Sequence, residues 1–217
     1  MSAEAQTREE IVDFGRMLYQ RGLAHGSSGN LSARVPGGFL VTPTNTCLGR
    51  LDPARLTKLD AAGRVVSGDP PSKESLLHLA LYRAREGSAG IVHLHCTHCV
   101  ALSCRADLPA DDVLPPVTAY HVMRIGQLPR LSFYRPGDPA LAAAVGAAAS
   151  GHHAVLLANH GPVVAGRTLA EAVYNAEELE ESARIFLLLE GQATRYLTPE
   201  QVAEVSAAFP NLSLIHI

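Results

Sequence analysis

The chain has 217 residues, 18 Lys and Arg against 21 Asp and Glu, and hydrophobic and charged fractions of 47% and 18%. That length suits one domain with a sizeable core. The composition excludes a disordered chain, and a net charge of −3 argues against a general nucleic-acid partner. No apolar run reaches the roughly 18 residues of a membrane span. The opening MSAEAQTREE has no apolar signal core, so a cytoplasmic protein without a membrane partner is expected. The cysteines are Cys47, Cys96, Cys99 and Cys104. Cys96 and Cys99 make one C-x-x-C with no second pair, so free buried thiols are expected, with a redox pair the lesser reading.

Residues 3–21 read as an amphipathic helix with Ile11, Phe14, Met17 and Leu18 on one face. The small-residue loop GSSGN follows, at 26–30. Residues 31–35 and 39–42 read as a strand pair, and 56–60 and 64–67 as two shorter strands. Ser72 is the expected N-cap of a helix carrying Leu76, Leu79, Ala80 and Arg83. GIVHLHC, 90–96, reads as a strand and THCVALSC as the helix after it. Residues 119–126 are expected helical, 128–133 extended, and 139–150 an Ala-rich helix. HAVLLANHG is a buried strand ending at Gly161, and 163–166 resumes one. Thr168 caps a long helix to 191, and a last helix starts near Pro199.

Strands alternate with helices, yet short turns join the early strands, which favours an α/β fold with a mixed or antiparallel sheet under helices. One domain over 1–211 is the simplest organisation. LSLIHI, at 212–217, is the translation of CTGTCTCTTATACACATC, a transposon end used in sequencing-library preparation. These six residues, His216 among them, are set aside as a suspected non-native tail.

His93 and His95 form H-x-H, and side chains two apart on a strand share a face. His160 lies at the end of a second apolar strand. Three histidines with an open position describe a catalytic metal site. His98 is read as packing or supporting this set. His25, His78, His121, His152 and His153 are read as ordinary, with the last two solvated near a turn. Glu74 opens a helix, where the helix dipole alone favours a carboxylate. GSSGN, TPTNT and PSK are polar loops able to cradle a phosphate with backbone N–H groups and hydroxyls, and Lys73 adds a cation.

In order, the chain carries Ser28-Gly29-Asn30-Leu31-Ser32-Ala33-Arg34, Thr42-Pro43-Thr44, Pro71-Ser72-Lys73-Glu74, His93-Leu94-His95 and Asn159-His160-Gly161. This series resembles the class II aldolase/adducin family. The resemblance implies an α/β/α sandwich around a mixed, largely antiparallel sheet. It implies a divalent metal (Zn²⁺, or Mn²⁺ or Co²⁺) on His93, His95 and His160. Glu74 becomes the catalytic acid/base and the fourth ligand of an empty site. Gly29, Asn30, Thr44, Asn45, Ser72 and Lys73 map to the phosphate loops. Homotetramers with interfacial active sites are implied as well.

Within the family, TPTNTCLGRLDP, PSKE and YHVMRIGQLP look most similar to the 3-oxo-tetronate 4-phosphate decarboxylases. Ser72-Lys73 stands where sugar-phosphate aldolases have two serines, and Val122 where they have a tyrosine. Tyr120 is a candidate replacement for that tyrosine. The implied reaction takes a phosphorylated keto acid to dihydroxyacetone phosphate and CO₂ through a metal-stabilised enediolate. Burial of Glu74 would raise its pKa for acid work. The alternatives are a fuculose- or rhamnulose-phosphate aldolase, a sugar-phosphate 4-epimerase, and a non-catalytic adducin-like interaction module.

Overall fold

The computed structural model describes residues 2–209, so the segment 212–217 lies outside the described residues. Ser2 caps helix α1 (Ala3–Gln20), which buries Ile11, Val12 and Leu18. Strands β1 (Asn30–Val35) and β2 (Gly38–Val41) form a hairpin, followed by β3 (Thr57–Asp60) and β4 (Val65–Ser67). Helix α2 (Ser75–Ala84), strand β5 (Gly90–His93) and helices α3 (Thr97–Ser103) and α4 (Ala119–Arg124) come next. Then come β6 (Arg130–Leu131), α5 (Pro139–Ala149), β7 (Ala154–Leu157), β8 (Gly161–Gly166), α6 (Leu169–Leu188) and α7 (Pro199–Ala208).

The eight strands form one sheet in the order β4-β3-β2-β1-β5-β8-β7-β6. Every pairing is antiparallel except the parallel β6–β7 pair. Side chains alternate faces along a strand, and here both faces are dry. Val92, Leu156 and Val164 pack under α1, α3 and α6, whereas Ile91, Val155, Val163 and Ala165 pack under α2 and α5. This is the α/β/α sandwich expected from the sequence. No helix among the described residues is long and apolar enough to cross a membrane.

Several boundaries differ from the sequence reading, for local reasons. Strand β5 stops at His93, so His95 lies past its end rather than on it. Helix α2 starts at Ser75 with Glu74 at the N-cap position. Ser72 instead closes a turn ahead of the helix, its Oγ accepting from the Glu74 N–H at 3.3 Å. Leu76 is 49% exposed, and the buried residues of α2 are Leu77, His78, Leu79, Leu81 and Tyr82. His153 is buried, with Nε2–H donating to the Arg124 carbonyl at 2.7 Å, rather than solvated. All four cysteines are free; Cys96 and Cys99 are buried as expected, whereas Cys104 is exposed and Cys47 half-buried. Thr168 caps α6 and Thr198 caps α7, where the sequence put their starts.

Candidate metal centre

The register of the sheet explains why three distant histidines meet. His93, the last residue of β5, pairs with Asn30 on β1 and with Val163 on β8. The β7–β8 turn carries His160 back over the end of β5. Asn159 adopts a left-handed φ of 55° there, and Gly161 follows at φ 150°. A Cβ on Gly161 would lie 2.3 Å from the Leu94 carbonyl oxygen, so only glycine lets the turn approach this closely.

Glu74 and the three histidines place one ligand atom each within 4.8 Å of one another. His95 Nε2 is 3.1 Å from His93 Nε2, which is 3.3 Å from His160 Nε2. Glu74 Oε2 is 3.3 Å from His93 Nε2, and Oε1 is 3.1 Å from His160 Nε2. Donor atoms about 2.0–2.1 Å from a tetrahedral ion stand about 3.3 Å apart, which matches the nitrogen–nitrogen separations. His93 Nδ1–H donates to the Pro162 carbonyl at 2.8 Å, which turns the Nε2 lone pair inward. Glu74 Oε1 is buried without a hydrogen bond. Imidazole nitrogens facing one another beside an orphaned carboxylate oxygen are jointly satisfied by one cation, so the residues fit a divalent metal.

The electrostatics point the same way. Burial raises the Glu74 carboxyl, but the charge of His93, the close approach of the His160 and His93 rings and the hydrogen bond from Asn30 outweigh it. The net effect holds Glu74 well below the usual carboxylate range, which corrects the expectation that burial would lift it. Burial, followed by the charges of His93 and His160, holds His95 down to about 3. Burial opposes charge on His93, yet the Glu74 carboxylate wins and its pKa is raised. The Glu74 carboxylate thus draws positive charge into the cluster, while His95 is kept neutral.

A cavity of about 150 Å³ opens beside this cluster. Glu74, His95 and His160 line it together with Gly29, Asn30, Thr44, Asn45, Ser72 and Lys73. Backbone bonds tie two of the loops to each other: the Thr44 N–H donates to the Pro70 carbonyl at 2.9 Å, and the Ser72 N–H to the Thr42 carbonyl at 3.2 Å. Lys73 is the one Lys or Arg among the lining residues. The Asn30 side chain is committed to Glu74 and His78. Tyr120 is exposed on α4 and does not line this cavity.

Two features were not read from the sequence. His78 is buried behind Asn30, and burial followed by the His93 charge holds it down to about 3. Its signal was the i, i+4 spacing from Glu74, which puts both on one helix face. Glu180 of α6 accepts from the backbone N–H groups of His98 and Cys99, both at 2.9 Å. Nothing local in the sequence marks that contact across 81 and 82 positions.

Residues 9–187 match the Class II Aldolase and Adducin N-terminal domain, and the chain belongs to that family. With the metal-type cluster and its cavity, this defines an enzyme of the metal-dependent lyase class. The 3-oxo-tetronate 4-phosphate decarboxylase of Escherichia coli (strain K12) is 49% identical over 203 residues, 93% of this chain and 96% of that one. The crystal structure of YgbL from Escherichia coli superposes with a TM-score of 0.92 at 47% identity, covering 94% of this chain and 99% of that one. An L-fuculose 1-phosphate aldolase is more distant, with a TM-score of 0.86 at 26% identity, covering 97% and 98%.

Proposed function

We propose that this protein decarboxylates 3-oxo-tetronate 4-phosphate to dihydroxyacetone phosphate. The observation that carries the reading is 49% identity, across nearly the whole chain, to a protein named for that reaction. The substrate is a β-keto acid. The C1–C2 bond breaks, C1 leaves as CO₂, and its electron pair stays on C2 beside the C3 ketone. His93, His95 and His160 would hold a divalent cation, which would supply Lewis-acid polarisation at that ketone. C2 then gains a proton drawn from solvent water, which Glu74, the carboxylate of the cluster that also faces the cavity, relays to it.

The polar loops hold the phosphate. Thr44 and Ser72 offer hydroxyls, Gly29 and Asn30 backbone groups, Asn45 its amide, and Lys73 adds the positive charge. This remote binding fixes the reacting carbons against Glu74. Zn²⁺ suits a three-histidine and carboxylate set, and Mn²⁺ or Co²⁺ are the alternatives. The single domain works as a homotetramer with active sites between subunits, a reading supported by Tyr120 and Phe133, exposed at 58% and 64%. In such a tetramer Tyr120 would serve a neighbouring site. Four free cysteines suit the reducing cytoplasm.

The test is CO₂ release from enzymatically made 3-oxo-tetronate 4-phosphate, with metal-loaded and chelator-stripped protein. Metal-dependent CO₂ with dihydroxyacetone phosphate as the second product is expected. Aldol product from dihydroxyacetone phosphate and an aldehyde, with no CO₂, would replace this reading with the aldolase. The likeness to the fuculose enzyme keeps that arm in the experiment.

A further inference from the structure

A chain of buried side chains runs away from Glu74 into the layer between the sheet and α2. Asn30 Nδ2 lies 2.8 Å from Glu74 Oε2. Asn30 Oδ1 lies 2.5 Å from His78 Nε2, and His78 Nδ1 lies 2.7 Å from Ser32 Oγ. Ser32 Oγ lies 3.0 Å from the Tyr82 hydroxyl. Asn30, Ser32, His78 and Tyr82 are each at most 5% exposed. Two periodicities build the chain. Asn30 and Ser32 are two apart on β1 and share a face, whereas His78 and Tyr82 are four apart on α2.

Donor and acceptor roles along the chain follow from its first bond. A carboxylate only accepts, so the amide must turn its NH₂ toward Glu74. Asn30 Oδ1 then faces His78 and must accept, which requires a hydrogen on His78 Nε2. In the neutral ring Nδ1 becomes the acceptor, so the Ser32 hydroxyl donates to it and accepts from Tyr82. Every bond points toward the carboxylate. With the other tautomer, Nε2 and Oδ1 would be two acceptors in contact, and the amide would flip its oxygen onto Glu74.

We infer that His78 is a positioning residue for the metal centre: its Nε2–H locks the Asn30 amide, which pins Glu74 through Oε2. The other oxygen, Oε1, is left free of hydrogen bonds, 3.1 Å from His160 Nε2. The relay thereby decides which oxygen of Glu74 faces the reaction centre. It also gives His78 and Ser32 a role where burial alone would have preferred apolar side chains. The inference rests on the proposed function only for its activity arm.

The experiment compares two substitutions of one residue. A glutamine amide reaches as far as the ring Nε2 and can still donate to Asn30, whereas asparagine reaches only as far as Nδ1. His78→Gln is expected to keep kcat and Co²⁺ affinity within about 5-fold. His78→Asn is expected to lose about 10–100-fold in kcat, with KM within about 3-fold, and to weaken Co²⁺ binding about 10-fold. Melting temperatures of the two variants put any general loss of folding on a separate axis. In wild-type protein, ¹⁵N NMR of the His78 ring should show hydrogen on Nε2. Equal behaviour of the two variants in kcat and Co²⁺ affinity, or hydrogen on Nδ1 alone, would overturn the relay. If wild type binds Co²⁺ and shows the Nε2–H ring but releases no CO₂, the proposed function falls and the relay stands. If CO₂ release is normal and the variants are alike, the reverse holds.

Discussion

Two clusters of potential metal ligands share the seven-residue stretch from His93 to Cys99, which gives two members to each, and they have opposite characters. The first is Glu74, His93, His95 and His160; the second is Cys96, Cys99 and Glu180. Each brings its ligand atoms within 4.8 Å. In the first, nitrogen lone pairs face one another and Glu74 Oε1 has no hydrogen bond. In the second, demand is met inside the protein. Glu180 Oε1 accepts from the His98 backbone N–H and ring Nδ1–H, and Oε2 accepts from the Cys99 N–H. Those N–H groups belong to the first turn of α3, so Glu180 caps that helix. Its charge is used where a cation would need it. The Cys99 thiol, fully buried, is pushed well above its ordinary pKa, away from the thiolate that metals and disulfide exchange require. Ligand-capable residue types mark a site only when the fold leaves their bonding unsatisfied and open to a cavity.

That contrast is easiest to break at the first cluster. His93→Ala and His160→Ala are each expected to abolish stoichiometric metal, read by elemental analysis of purified protein. Turnover should fall about 10³-fold or more, because Lewis-acid polarisation is worth several kcal/mol. Chelator stripping of wild type should do the same and be reversed by added Zn²⁺, Mn²⁺ or Co²⁺. The double substitution Cys96→Ser, Cys99→Ser should leave metal stoichiometry unchanged. Loss of metal in the thiol variant with retention in His93→Ala would assign the ion to the wrong cluster.

A smaller effect is expected at the mouth of the same cavity. Lys73 lies beside Glu74 and is the one cationic side chain lining it, so it should act on substrate rather than on metal. Lys73→Gln is expected to raise KM about 10–100-fold, the range for a charge-assisted contact of about 1.5–3 kcal/mol. Metal content should not change. A Lys73→Gln protein with unaltered KM and lowered kcat would move Lys73 from binding to the chemistry at C2.

What the sequence made legible follows the same division. The three histidines were readable as a candidate metal set because H-x-H on a strand and a histidine at a second strand end have a geometric logic of their own, whereas only the family resemblance tied Glu74 to them. The polar loops were readable because their residue types favour turns. The cap at Thr168 and the helix start near Pro199 were readable because such signals are local. The depth of the site was not. His78 looks like any histidine of an amphipathic helix until β1 is laid beside α2 and puts Asn30 2.5 Å away. The expectation that burial would raise Glu74 followed from the acid role assigned to it, whereas the opposing charge comes from His93 at the end of β5. Long-range pairings carry both features, and a single sequence records no pairing.

The smallest effect tests whether the two clusters are independent. Glu180 is buried, which alone would raise its pKa, but the N–H groups of His98 and Cys99 and the His98 ring hold it below the ordinary carboxylate value. A carboxyl with a depressed folded pKa binds fewer protons folded than unfolded. Its stabilisation is therefore complete above the unfolded value of about 4.3 and is lost as pH falls through the folded value. Glu180→Gln cannot ionise and keeps one acceptor, so it should cost about 1–2 kcal/mol at pH 7, or roughly 2–8 °C in Tm. The gap between variant and wild type should narrow as pH falls below about 4.3 and close only below the depressed folded value. Denaturant melts at pH 7 and pH 3.5 measure this directly. A gap undiminished in acid would remove the carboxylate charge from the account of the cap. The sharper result is metal content. α3 begins two residues after His95, so a cap that only stabilises the helix leaves stoichiometry intact. Loss of metal along with stability would show that Glu180 holds His95 in place, joining the two clusters into one site.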